Sequence, residues 1–190
     1  MTRNQIITAG TRLIDSLRSI LPHQQARIIA ELLRGEEGEY FHDLLLQLSI
    51  DLKDAPKLYS TDSMGDSAPV YFHYFNSSSD WWITEIEFSD GRTQAMGFVC
   101  LNGWADCAEF GSIYLPEILR HPATELDLHW DRRTTLRSVK KEHGFPIYDS
   151  KDDDESPENS SDSLPSSEPL QAERSASPSA PIRIPNGFII

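Results

Sequence analysis

Long apolar runs are missing from this sequence: no stretch approaches the roughly 20 consecutive apolar residues needed to cross a bilayer. The opening "MTRNQIITAGTRLIDSL" lacks a basic start, a continuous apolar stretch and a small-residue cleavage site. No membrane partner and no secretion are therefore expected, and the expected location is cytoplasmic. Cysteine is scarce as well. Cys100 and Cys107 form no CxxC pair and have no histidine at zinc-finger spacing, so reduced thiols are expected rather than a disulfide framework or a structural zinc site. HExxH, a Gly-rich phosphate loop, GxSxG and a cysteine–histidine signature are also absent. No cofactor and no metal are expected.

Basic residues are thin in one region. Residues 35–131 hold four bases (Lys53, Lys57, Arg92, Arg120) against eighteen acids, within a whole-chain charge of −13. Residues 1–34 hold five arginines against two acids, and residues 132–141 carry Arg132, Arg133, Arg137, Lys140 and Lys141 with no acid. An acidic central segment is thus flanked by basic ones. A field of that sign repels nucleic acid and attracts basic partners.

Apolar residues at helical spacing predict a helix over 6–21, a second after Pro22 stopping at Gly35, and a third over 39–52 with Phe41, Leu44, Leu45, Leu48 and Leu52 on its buried stripe. The period then switches to two. "VYFHYF" and "WWITEIEF" around "NSSSD" predict a hairpin. Trp82, Thr84, Ile86 and Phe88 are placed on one face, and Trp81, Ile83, Glu85 and Glu87 on the other. "SDGR" reads as the next turn, "TQAMGFVCL" as a central strand apolar on both faces, and "FGSIYL" as a further strand. "PEILRH" reads as a helical turn begun by Pro116. "ELDLHW" predicts a strand burying Leu126, Leu128 and Trp130. The basic residues 132–141 are expected to form a helix ended by Gly144.

The fold expected is α+β: N-terminal helices packed on a mostly antiparallel sheet of about five strands. Residues 1–55 read as a helical N-terminal segment, and 56–147 as the antiparallel sheet domain with its basic helix. Residues 148–181, rich in Ser, Pro and acid, read as a disordered tail. Residues 182–190, "IRIPNGFII", read as a short apolar terminal motif.

Glu85, Glu87, Glu109 and Asp127 with His129 lie in or beside these strands. Acids with a histidine can perform acid–base chemistry or hold a metal; the other reading is the wet face of a sheet. His73, flanked by aromatics, reads as a hydrogen-bonded core or edge histidine. Tyr71, Phe72, Tyr74, Phe75, Trp81 and Trp82 have the composition of a base-stacking platform, but the acidic setting favours core packing. Residues 132–141 are the one segment suited to phosphate contacts, unless they neutralise acids of the same molecule.

The order "PKLYST", "VYFHYF", "DWWITEIEF", "AMGFVCLNG", "AEFGSIYLPEI", "TELDLHW" resembles the bacterial domain-of-unknown-function family twenty-nine fifty-eight, whose members are carried by plasmids, integrative elements and phages. The matching positions are Phe75, Trp82, Thr84, Glu85, Gly97, Glu109, Gly111, Leu115, Glu117, Asp127, Leu128 and Trp130, spanning about 40 % of the chain. Leu126 departs from the motif, which has Arg there. The resemblance implies a mobile-element context and no particular chemistry.

Three functions are therefore expected in order. The first is a non-enzymatic accessory protein of a mobile element. It would bind a basic protein through exposed acids such as Glu87 and Asp90, with DNA mimicry in counter-defence as its sharpest form. The second is a metal-dependent hydrolase or other enzyme using Glu85, Glu109, Asp127 and His129. The third is a nucleic-acid adaptor acting through Arg132, Arg133, Arg137, Lys140 and Lys141.

Overall fold

A computed structural model describes residues 1–89 and 92–147, with the side chains of Ser89 and Arg92 left out. The expected acidic tail and terminal motif lie outside the described residues, as do Asp90 and Gly91 of the "SDGR" turn.

Helix α1 (Arg3–Ser16) opens with a capping box, in which the Thr2 hydroxyl accepts from the Gln5 amide and the Gln5 side chain accepts from the Thr2 amide. It ends five residues short of the expected 6–21. Leu21 precedes Pro22, whose ring disfavours helical geometry in the residue before it, and the Ile20 carbonyl accepts the Tyr74 hydroxyl at 2.6 Å instead of a helical amide. Leu17, Ile20 and Leu21 are still fully buried. Helices α2 (His23–Leu32) and α3 (Gly38–Asp54) follow where the periodicity puts them. Gly10 of α1 leaves room for Leu33, which an added Cβ would meet at 2.6 Å.

Five antiparallel strands follow: β1 (Phe72–Phe75), β2 (Asp80–Ser89), β3 (Arg92–Cys100), β4 (Glu109–Tyr114) and β5 (Glu125–Leu126), in the spatial order β4-β3-β2-β1-β5. The β1–β2 turn is built by Asn76, whose side-chain oxygen accepts from the amides of Ser78 and Ser79 at 3.0 and 2.8 Å. The α+β architecture, with the third strand interior to the sheet, is as the sequence implies. Residues before and after position 55 contribute to the same core cluster.

Three expectations are corrected. The alternation of β2 is interrupted by a bulge between Ile83 and Glu85. Ile83 and Ile86, expected on opposite faces, therefore share the face of the helices, and Phe88 is 48 % exposed. The strand expected over "ELDLHW" holds only Glu125 and Leu126. The Asp127 carboxylate accepts the His129 amide and turns the chain, leaving Leu128 and Trp130 half-buried. The last helix, α5 (Leu136–His143), is capped by Thr135 and ended by the left-handed Gly144. Arg132 and Arg133 precede it, in a turn made by Asp131, which accepts from the Arg133 and Thr134 amides.

The sheet is covered on both faces. Helices α1–α3 and α4 (Leu115–Arg120) close one side with Leu17, Ile20, Leu33, Leu45, Leu115 and Ile118 against Phe72, Tyr74, Ile83 and Leu126. On the other side α5 and residues 68–70 enclose Trp82, Phe98 and Cys100 with Leu136, Val139 and Phe145. Both cysteines are free, and burial, followed by the Asp80 charge, pushes the Cys100 thiol up.

Candidate functional site

The strand order separates the residues expected to form an acid–base group. Glu85 is central in β2 and 1 % exposed, Glu109 starts the edge strand β4, and Asp127 and His129 follow β5 at the opposite edge. Glu85 accepts from the Tyr59 amide, the Thr61 amide and the Thr61 hydroxyl at 2.5–2.6 Å. That carboxylate holds the loop before β1, including Tyr59 in the left-handed region at φ 66°. Glu87 is half-buried opposite Gln94. His129 is exposed and meets the Tyr40 hydroxyl at 3.3 Å. Among the described residues no group of three or more His, Cys, Asp and Glu is arranged to hold a metal ion.

His73 instead sits between two carboxylates, with Nε2 2.9 Å from Asp80 and Nδ1 3.7 Å from Asp127. Its ring stacks on Trp82 at 5.5 Å and tilts against Trp130 at 4.8 Å. It joins the β1–β2 hairpin to the chain after β5, as a hydrogen-bonded interior histidine would.

Three of the five bases of the basic segment pair with named carboxylates of the same chain, and two of these, Arg132 and Lys140, turn inward. Arg132 meets Asp51 of α3 at 2.6 Å, and Lys140 meets Asp66 at 2.6 Å with both side chains 7 % exposed and its ammonium 4.9 Å above the Phe98 ring. Arg133 pairs with the exposed Asp131, whose carboxyl it holds below the ordinary aspartate value. Burial pushes the Asp51 carboxyl up, outweighing the Gln47 hydrogen bond and the Arg132 charge. Arg137 is half-buried and engaged, and Lys141 is exposed. These partners were not singled out from the sequence, although Asp51 falls three residues after Leu48 on the buried stripe of α3. A lone acid on such a stripe marks an inward-facing charge in need of a base.

Exposed carboxylates concentrate elsewhere. Glu36, Glu37, Glu39 and Asp43 all face solvent around the start of α3. Glu109 and Glu117 stand at a cleft of about 490 Å³ on the helical side of the sheet beside β4. Trp81, Val99 and Gly111 form its floor, because Trp81 pairs with Val99 and Val99 with Glu109, which places all of them on one face. The wall comes from α4 and His121, and no lysine or arginine is among the lining residues. No described helix is long and apolar enough to cross a membrane.

No family profile, curated protein or solved structure matches the chain, so the resemblance seen in the sequence rests on its motif residues alone.

Proposed function

We propose that this protein is a non-catalytic binding protein that engages a basic protein partner through its exposed carboxylates. The observation that carries the reading is the partition of charge. Asp51 and Asp66 neutralise Arg132 and Lys140 on the inward side and Asp131 pairs with Arg133 at the surface, whereas Glu36, Glu37, Glu39, Asp43, Glu109 and Glu117 face solvent. The bases nearest the acidic segment therefore do little to mask the outward carboxylates, and the remaining field attracts cationic surfaces and repels phosphate. DNA mimicry toward a DNA-binding protein is the sharper form of this reading. The setting of a mobile-element accessory protein is what the motif resemblance implies.

Fluorescence anisotropy of a labelled arginine-rich peptide and of a labelled DNA duplex, each titrated with the full chain at low and moderate salt, tests it. The peptide is expected to bind, to weaken steeply with salt, and to lose most affinity when the six exposed acids are changed to their amides. The duplex is expected not to bind. Peptide binding indifferent to those changes sinks the reading. Duplex binding abolished by Arg137→Ala with Lys141→Ala replaces it with the nucleic-acid adaptor.

A further inference from the structure

Gly97 and Gly111 face one another across β3 and β4, and they lack side chains for opposite reasons. A Cβ on Gly97 would come within 2.2 Å of the Trp82 carbonyl oxygen, so strand packing excludes it. A Cβ on Gly111 would meet nothing within 4 Å, and Gly111 is not among the glycines with positive φ. A glycine inside a strand destabilises it relative to alanine, through lost chain entropy and the missing side chain. At Gly111 the omitted side chain leaves space in the floor of the cleft, and no backbone or packing requirement accounts for it.

The chemistry around that space is selective. Trp81 offers an indole, and Glu109 and Glu117 supply carboxylates with no lysine or arginine among the lining residues, His121 being the one imidazole there. A guanidinium suits such walls, because it is weakly hydrated, stacks on aromatic faces and donates in a planar fork to carboxylates. The volume falls in the range of ordinary ligand pockets, roughly 300–1,000 Å³. The strand beside it is also open: β4 ends the sheet, so among the described residues its outer edge has no strand partner. Phe110, Ser112 and Tyr114 along it are exposed. An unpaired edge is a template for a further strand, with main-chain bonds giving affinity and a side pocket giving specificity.

We propose that the edge of β4 and the cleft over Gly111 dock an extended, arginine-bearing segment of the partner, its backbone alongside β4 and its guanidinium in the cleft with Glu109, Glu117 and Trp81. This rests on the basic-partner reading above and names its site. The full chain is titrated with a labelled heptapeptide of alternating threonine and valine around a central arginine, with a citrulline form, and with a form whose backbone amides are methylated. The arginine peptide is expected to bind, and both altered forms to bind about tenfold more weakly. Gly111→Ile fills the floor without changing a charge. It is expected to weaken the arginine peptide at least tenfold while the melting temperature holds or rises, since a β-branched residue replaces glycine in a strand. Should that variant melt lower, Glu117→Gln decides, being an exposed position on α4, with a several-fold loss expected. Equal binding of the citrulline form, or full binding by both variants, overturns the proposal. An arginine-rich peptide that binds while the single-arginine peptide does not removes the cleft and leaves the acidic-surface reading standing. A chain that binds neither takes both down.

Discussion

One face of the sheet is closed mostly by apolar side chains, with the buried Tyr74 hydroxyl among them, whereas the other is closed by aromatic rings threaded with buried charges. On the helical side Leu17, Leu21, Leu33 and Leu45 meet Phe72 and Ile83, and Tyr74 satisfies its hydroxyl on the Ile20 carbonyl. On the α5 side Trp82, Phe98 and Phe145 pack beside the Lys140–Asp66 pair, and Glu85 collects three donors from the loop before β1. Three helices bury enough area to be held by the hydrophobic effect, which has no direction. An eight-residue helix and an irregular loop do not, since short helices are marginal without specific anchoring. Directional pairs hold them in place. Such pairs add little net stability compared with apolar isosteres, yet removing one partner is costly. The two faces should therefore respond differently to substitution.

The largest effect is expected from Asp66→Ala. It leaves the Lys140 ammonium buried without its carboxylate and should cost about 3–5 kcal/mol by chemical denaturation. The double change Asp66→Leu with Lys140→Met should recover most of that loss. A single variant of native stability would show that the pair does not anchor α5. Glu85→Gln comes next at about 2–3 kcal/mol, because one carboxylate oxygen becomes an NH2 group facing a backbone donor from which it cannot accept. Faster proteolysis between residues 56 and 70 should accompany it, and unchanged protection there would contradict the clamp. Leu21→Met on the helical face preserves volume and should cost under about 1.5 kcal/mol; a loss as large as that of Asp66→Ala would erase the distinction between the faces.

The smallest effect is a pH dependence. Asp51 joins α3 to the segment before α5, and its folded carboxyl titrates above the ordinary value of about 3.9. The folded protein thus holds that proton more tightly than the unfolded chain. Its contribution is fully present below the ordinary value and is lost as pH rises through the raised one. The unfolding free energy of Asp51→Asn minus that of the native chain should accordingly rise across that window. A falling difference would mean that the Arg132 charge outweighs burial.

Local pattern made the helices, the hairpin and the central strand legible, because burial of one face imposes a period of 3.6 or 2 and Asn, Gly and Pro punctuate it. It grouped Ile86 with Trp82 instead of Ile83 because a bulge inserts a residue without altering composition, and it overran β5 because the Asp127 turn competes locally with a strand that reads equally well. The acid–base group dissolved for a topological reason. Glu109 and Asp127 fall in segments that read alike as strands, and only the order β4-β3-β2-β1-β5 puts them at opposite edges.

What the sequence alone determined is the α+β class, the positions of most elements and the acidic excess of residues 35–131, all of which follow from periodicity and composition. Tertiary structure decided which charges face inward. Lys140 and Asp66 are separated by 74 residues, and Arg132 reaches Asp51 across the fold. Such pairings depend on through-space distance, to which spacing along the chain gives no guide. The same holds for the two glycines: they look alike in the sequence, and only packing shows that Gly97 is required by the Trp82 carbonyl while Gly111 opens a cleft.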